Sequence, residues 1–195
     1  MTTMASMTGA AGDPIPSNCE LIEVRVGAVT NLFNAMDPSP FREKDLDPNA
    51  EEFIVNWART AARDASLALL VHVDRPGDLP QEAGALRAAV HEFFRYRAES
   101  SRRRLSQLLR TGRISLTIGG VFLSAMILIG DLTAGALSGQ RLGEILRESF
   151  LIGGWVAMWR PLEIFLYDWW PIRAEVRLYE RLSAMPVRIK GNGAS

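Results

Sequence analysis

From Ile114 to Gly130 the chain reads ISLTIGGVFLSAMILIG, 17 residues without one charged side chain. With LTAGAL beyond Asp131, the run reaches the roughly 20 residues needed to cross the hydrocarbon core of a bilayer. A soluble helix so uniformly apolar would need a thick shell of surrounding structure, and a chain of 195 residues supplies little. A membrane span is therefore expected here.

Composition alone would suggest an ordinary globular domain, with 23% charged residues, 48% hydrophobic residues and a formal net charge of zero. The averages conceal a segregation of charge. Arg95, Arg97, Arg102, Arg103, Arg104, Arg110 and Arg113 crowd together against a single Glu99. Such clusters meet either nucleic acid phosphates or the anionic headgroups on the cytoplasmic side of a membrane. Because the apolar run begins immediately after Arg113, the bilayer is the expected partner and nucleic acid is not.

Phe150–Trp170 is the second expected span. It is interrupted at Arg160, Pro161 and Glu163, holds four of the five tryptophans, and closes on Trp169, Trp170, Pro171 and Arg173, as expected where a span meets headgroups. A lone arginine at mid-bilayer costs about 2.5–3.5 kcal/mol on insertion scales. Arg160 and Glu163 are three residues apart, so on a helix they form an intramembrane polar pair that lowers this cost. Three readings of the pair follow: a packing contact with the other span or a neighbouring subunit, a break that lays LEIFLYDWWP along the surface, or an ion, proton or headgroup pathway through an oligomer. Gly119 with Gly120 and Gly153 with Gly154 offer small surfaces for close helix approach. Arginine is abundant before the first span and after the second, whereas the connection carries only Arg141 and Arg147, so both termini are expected in the cytoplasm. The N-terminus has neither the basic nor the apolar region of a cleavable signal.

The remaining sequence reads as a small cytosolic domain. Residues 1–18 have the composition of a disordered tail, and residues 19–78 an α/β domain. Glu20–Val26 alternates with a strand's period of two, and Ser66–Val73 is a short run apolar on both faces. Between them, Asp47 and Pro48 open a helix whose Phe53, Ile54, Trp57, Ala58 and Ala61 are expected to face a core. The proline-rich loop before that helix offers Asp37, Phe41, Asp45 and Asp47 as a contact surface. This is a βαβ-like unit, but two strands make a poor sheet, so further strands must come from another copy, a partner or a misassigned segment. Residues 79–113 form a basic amphipathic helix opened by a capping box at Asp78 and Gln81, with Gly112 a bend or break. Residues 114–172 form a two-helix transmembrane hairpin and residues 173–195 a basic cytosolic tail. The fold class expected is an α+β membrane protein.

Little of the chain points to a reaction. No zinc spacing, P-loop, nucleotide glycine loop or nucleophile elbow occurs. His72 and His91 read as satisfied or solvent-facing side chains, Cys19 as an incidental thiol, and the acidic loop lacks EF-hand spacing. No cofactor or metal is expected, and no enzymatic activity.

LFNAMDPSPFREKDLDPNAEEFIVNWA (32–58) and GGWVAMWRPLEIFLYDWWP (153–171) resemble stretches of a group of uncharacterised small bacterial membrane proteins. That resemblance implies a bacterial inner membrane and no known activity. The expected function is an assembly, scaffold or regulatory component acting through homo-oligomers or other membrane proteins; the alternative is a subunit of an oligomeric channel or transporter using Arg160 and Glu163.

Overall fold

The computed structural model describes residues 9–33, 45–62, 65–75, 78–137 and 141–191. Two compact units emerge, residues 1–99 with 175–195 and residues 100–174. The chain is α+β.

The first unit is built on a four-stranded mixed sheet in the order β1-β4-β3-β2. β2 (Cys19–Val26), β3 (Ser66–Val73) and β4 (Val187–Gly191) are parallel, and β1 (Ala10–Gly12) runs antiparallel to β4. Both recognised strands form. The missing ones come from the same chain: β1 from within the expected disordered tail and β4 from the expected basic tail, so no strand from another copy is required. Neither announces itself in sequence, because Ala-Ala-Gly has no strand signal and VRIKG is only five residues long. Gly12 is needed for β1, since its φ of +114° is unfavourable for other residues and a Cβ there would lie 2.5 Å from the Val187 carbonyl oxygen.

Three helices cover one face of this sheet. α1 (Pro48–Thr60) starts where expected, with the Asp47 carboxylate accepting from the Asn49 amide at 2.9 Å and Pro48 in the first turn. It buries Ile54, Val55 and Ala58. The first part of α2 (Leu79–Ala136) contributes Leu86, Val90 and Phe94, and α4 (Trp169–Ser183) contributes Leu178, Tyr179 and Leu182, all into one cluster with Ile22, Leu69, Val71, Val187 and Ile189. Strand order explains the one-sidedness. The parallel strands advance β2, β3, β4 without reversing, so right-handed crossovers deposit every helix on the same face. The expectation for α1 needs correction at two positions: Phe53 and Trp57 do not face the core but stack on each other in solvent, each 46% exposed.

The second unit contains the rest of α2, α3 (Arg141–Glu163), a π-helical segment (Ile164–Asp168) and the start of α4. α2 is continuous for 58 residues, so Gly112 neither breaks nor ends it. Leu142, Ile145 and Leu146 belong to the opening turns of α3. The segment around Arg160 does not break either. Helical backbone continues from Glu163 through the π segment into α4, and Trp169–Trp170–Pro171 begins a helix instead of closing one. Pro161 and Pro171 both lack an amide, and the wide π turn between them absorbs the disturbed ladder.

Candidate functional site

The distinctive surface of this chain lies on its second unit, where glycines line the seam between two antiparallel helices. A Cβ at Gly154 of α3 would come within 2.6 Å of Leu123 Cδ1, and one at Gly130 of α2 would sit 3.4 Å from the Arg147 Cα. At Gly119 the neighbour is the Ala157 carbonyl oxygen, 3.2 Å from the Cβ position. Pro161 cannot donate to that oxygen from one turn on. With Met158 Sδ 3.1 Å from the same Cβ position, only a residue without a side chain lets α2 come this close to that carbonyl. Gly112 receives Ile164 and Phe165 of the π segment in the same way, at 2.8 and 3.3 Å. Of the two glycine pairs read in the sequence, Gly119 and Gly154 form the seam, whereas a Cβ added at Gly120 or Gly153 would meet nothing within 4 Å.

Large apolar side chains point the other way. Ile118, Val121, Leu128 and Leu132 of α2 and Ile152, Trp155, Val156 and Trp159 of α3 are exposed, Trp159 by 71%. Among the described residues α2 is the one helix long and apolar enough to cross a membrane, and only 11% of its most apolar stretch is buried. A core helix of a soluble protein would be mostly buried. Hydroxyls on these helices are satisfied locally: Thr117 donates to the Arg113 carbonyl at 3.0 Å, Ser124 to Gly120 at 2.9 Å and Ser149 to Ile145 at 2.8 Å. Such bonds remove the need for water.

Charge is confined to the two ends of this apolar band. At one end Arg147 Nε donates to Asp131 Oδ1 at 2.7 Å. At the other, Arg160 Nη1 donates to Glu163 Oε2 at 2.9 Å and lies 3.6 Å from Asp168 Oδ2. The expected Arg160–Glu163 pair therefore forms, with a second carboxylate that sequence reasoning missed because the π segment, not helical spacing, brings Asp168 within reach. The cluster is open, with the Arg160 side chain 63% exposed. Trp169 donates its indole N–H to the Phe165 carbonyl at 2.8 Å, its ring lies beside that of Trp170, and the Arg173 guanidinium sits 5.4 Å above the Trp169 ring. Arg110 and Arg113 are exposed on α2, without an ion pair among the described residues.

The loop residues are not gathered into this surface. Asp37 and Phe41 lie outside the described residues, Asp47 is occupied as the cap of α1, and Asp45 lies near Arg97 in the first unit. There Arg97 pairs with Glu51 at 2.6 Å and stacks over Phe93. Partial burial alone would lower its pKa, but the Glu51 carboxylate overrides this and holds it above the ordinary arginine value. Burial likewise pushes the Tyr179 phenol above its usual range, reinforced by Glu175 and Glu51. His91 Nε2 sits 2.8 Å from the Met185 carbonyl and His72 Nε2 3.3 Å from Glu23, both satisfied as structural side chains. No cluster of three His, Cys, Asp or Glu suited to a metal occurs among the described residues. Comparison with protein-family models, curated proteins and solved structures finds no match to this chain.

Proposed function

We propose that the chain is a small integral protein of a bacterial inner membrane, akin to the uncharacterised membrane proteins its two quoted stretches resemble. It crosses the bilayer twice with both termini in the cytoplasm. The observation that carries this reading is a strand pairing: β4, which follows the second unit in sequence, pairs in parallel with β3, which precedes it. If α2 crosses the bilayer after β3, the chain must cross back before β4, and the apolar stretch over α3 is the one available for the return. The pairing thus supports an even count of crossings on grounds independent of arginine counts. The glycine seam and outward apolar side chains support lipid as the solvent of both helices.

The seam also supports a shallow depth for the pair. Gly112 meets Ile164, so Glu163 lies level with Arg113 and Arg160 about one turn above it, not at mid-bilayer. From Arg113 to Asp131 the rise is about 27 Å, close to the roughly 30 Å of hydrocarbon. Arg160 then needs only to snorkel a short way to the headgroups, where Arg110, Arg113, Arg173, Trp169 and Trp170 meet anionic lipid. This depth disfavours the channel alternative, which needs the pair midway across.

The function we infer is non-enzymatic: an assembly, scaffold or regulatory component that holds a cytosolic α/β module at the membrane and acts with further copies or other membrane proteins. Topology is tested in a Cys19→Ser background by labelling Leu137→Cys and Arg103→Cys with a membrane-impermeant maleimide. Only Leu137→Cys should react from outside the cell; the opposite pattern would overturn the reading. Arg160→Leu should leave ion flux through reconstituted vesicles at the background level of wild type, whereas a flux present in wild type and lost in the variant would restore the channel.

A further inference from the structure

The same topology that puts α1, α2 and α4 on one face of the sheet leaves its second face without a helix among the described residues. The buried side chains of all three helices join the cluster containing Leu67, Leu69, Val71 and Val73, whereas Leu21 and Leu70, which point the other way and are only partly buried, belong to no part of it; Ala68 between them is fully buried. Parallel strands are ordinarily covered on both faces. On this face the strand register aligns Arg25 of β2, His72 of β3 and Lys190 of β4 in a single row, with Glu23, Leu70 and Arg188 in the row beside it. Neighbouring strands are about 4.8 Å apart, so three basic side chains stand within about 10 Å. Arg25, Arg188 and Lys190 make no ion pair among the described residues, and the only acid in these rows, Glu23, contacts His72.

We propose that this face docks an acidic amphipathic helix of a partner protein. Its apolar stripe would cover the remaining exposed surface of Leu21 and Leu70, and its carboxylates would meet Arg25, Arg188 and Lys190 in charge-assisted hydrogen bonds. Single-stranded nucleic acid fits less well, because no Phe, Tyr or Trp stands among the strand residues of this face to stack a base, and the one imidazole, His72, is held by Glu23. The proposal rests on the scaffold reading and names the kind of partner it holds; it does not depend on how many times the chain crosses the membrane.

The test uses the full chain in detergent and a fluorescent designed peptide of about 18 residues, five helical turns, with leucine at helical spacing flanked by glutamate. Saturable binding is expected, weakened at least about tenfold in the R25E/K190E double variant and in Leu70→Ser, and unchanged in the membrane-interface variant R110A/R113A. If Leu70→Ser fails to fold, the charge-reversed variant decides. The proposal is overturned if a lysine version of the peptide binds equally, if oligothymidylate binds more tightly, if R25E/K190E binds as wild type does, or if that variant dissociates an oligomer, which would assign the face to a second copy. Failure here with the cysteine-labelling pattern intact would leave the membrane topology standing.

Discussion

The two units of this chain solve the packing problem in opposite senses. In the first, Phe94 is fully buried and charge lies outside; in the second, glycine lies inside and Val121 is 67% exposed. Water drives large apolar groups inward by removing their surface from solvent. Lipid supplies no such drive between helices, so close backbone approach at small residues holds them together. The position of the large residues therefore reports the solvent, and the position of the small ones reports the contact.

Phe94→Ala should separate the two regimes most strongly, destabilising the first unit by about 3–5 kcal/mol in chemical denaturation. Val121→Ala, which empties no packed site, should change stability in detergent by less than about 0.5 kcal/mol; equal losses would break the contrast. Next in size, Gly154→Leu forces a side chain against Leu123 and should weaken the helix pair by about 1–3 kcal/mol, read as lowered resistance to SDS. Gly153→Leu should be silent in the same assay, and a matching loss there would mean the seam is misplaced. Removing the cap with Asp47→Ala should cost the first unit about 1 kcal/mol in chemical denaturation and leave the resistance of the helix pair to SDS unchanged.

The smallest effect concerns Tyr179, whose pKa is raised in the folded state above the ordinary phenol value of 10.0. The folded unit then holds its proton more tightly than the unfolded chain. Its contribution is fully present below the unfolded pKa and falls as the pH rises through the higher folded value. Thermal unfolding of the first unit should drop more steeply above about pH 10 in wild type than in Tyr179→Phe. Parallel curves would remove the phenol from the alkaline response.

Much of this was legible in the sequence. The charge-free run at Ile114, the two longer strands and the cap at Asp47 are local patterns, and each appears where its periodicity or chemistry puts it. What escaped depends on contacts made far along the chain. β4 is a strand only because β3 offers it an edge, and Phe53 and Trp57 look like core residues until the sheet selects the arc Ile54, Val55, Ala58. Asp168 reaches Arg160 through a π turn whose cause, a pair of prolines ten residues apart, is visible but whose register is not. On the site itself, the Arg160–Glu163 pair was readable from spacing, whereas its level relative to Arg113 required the seam.

The placement of β4 also sets an order of events during biosynthesis. Between the end of β3 at Val73 and the start of β4 at Val187 the ribosome must make the whole second unit, which takes on the order of ten seconds. Until then β3 has a neighbour on one side only, and the nascent domain exposes an apolar edge. Completion of the sheet is thus a late event: a copy whose second unit is misfolded delivers its last strand late or not at all, and the β3 edge stays unpaired meanwhile.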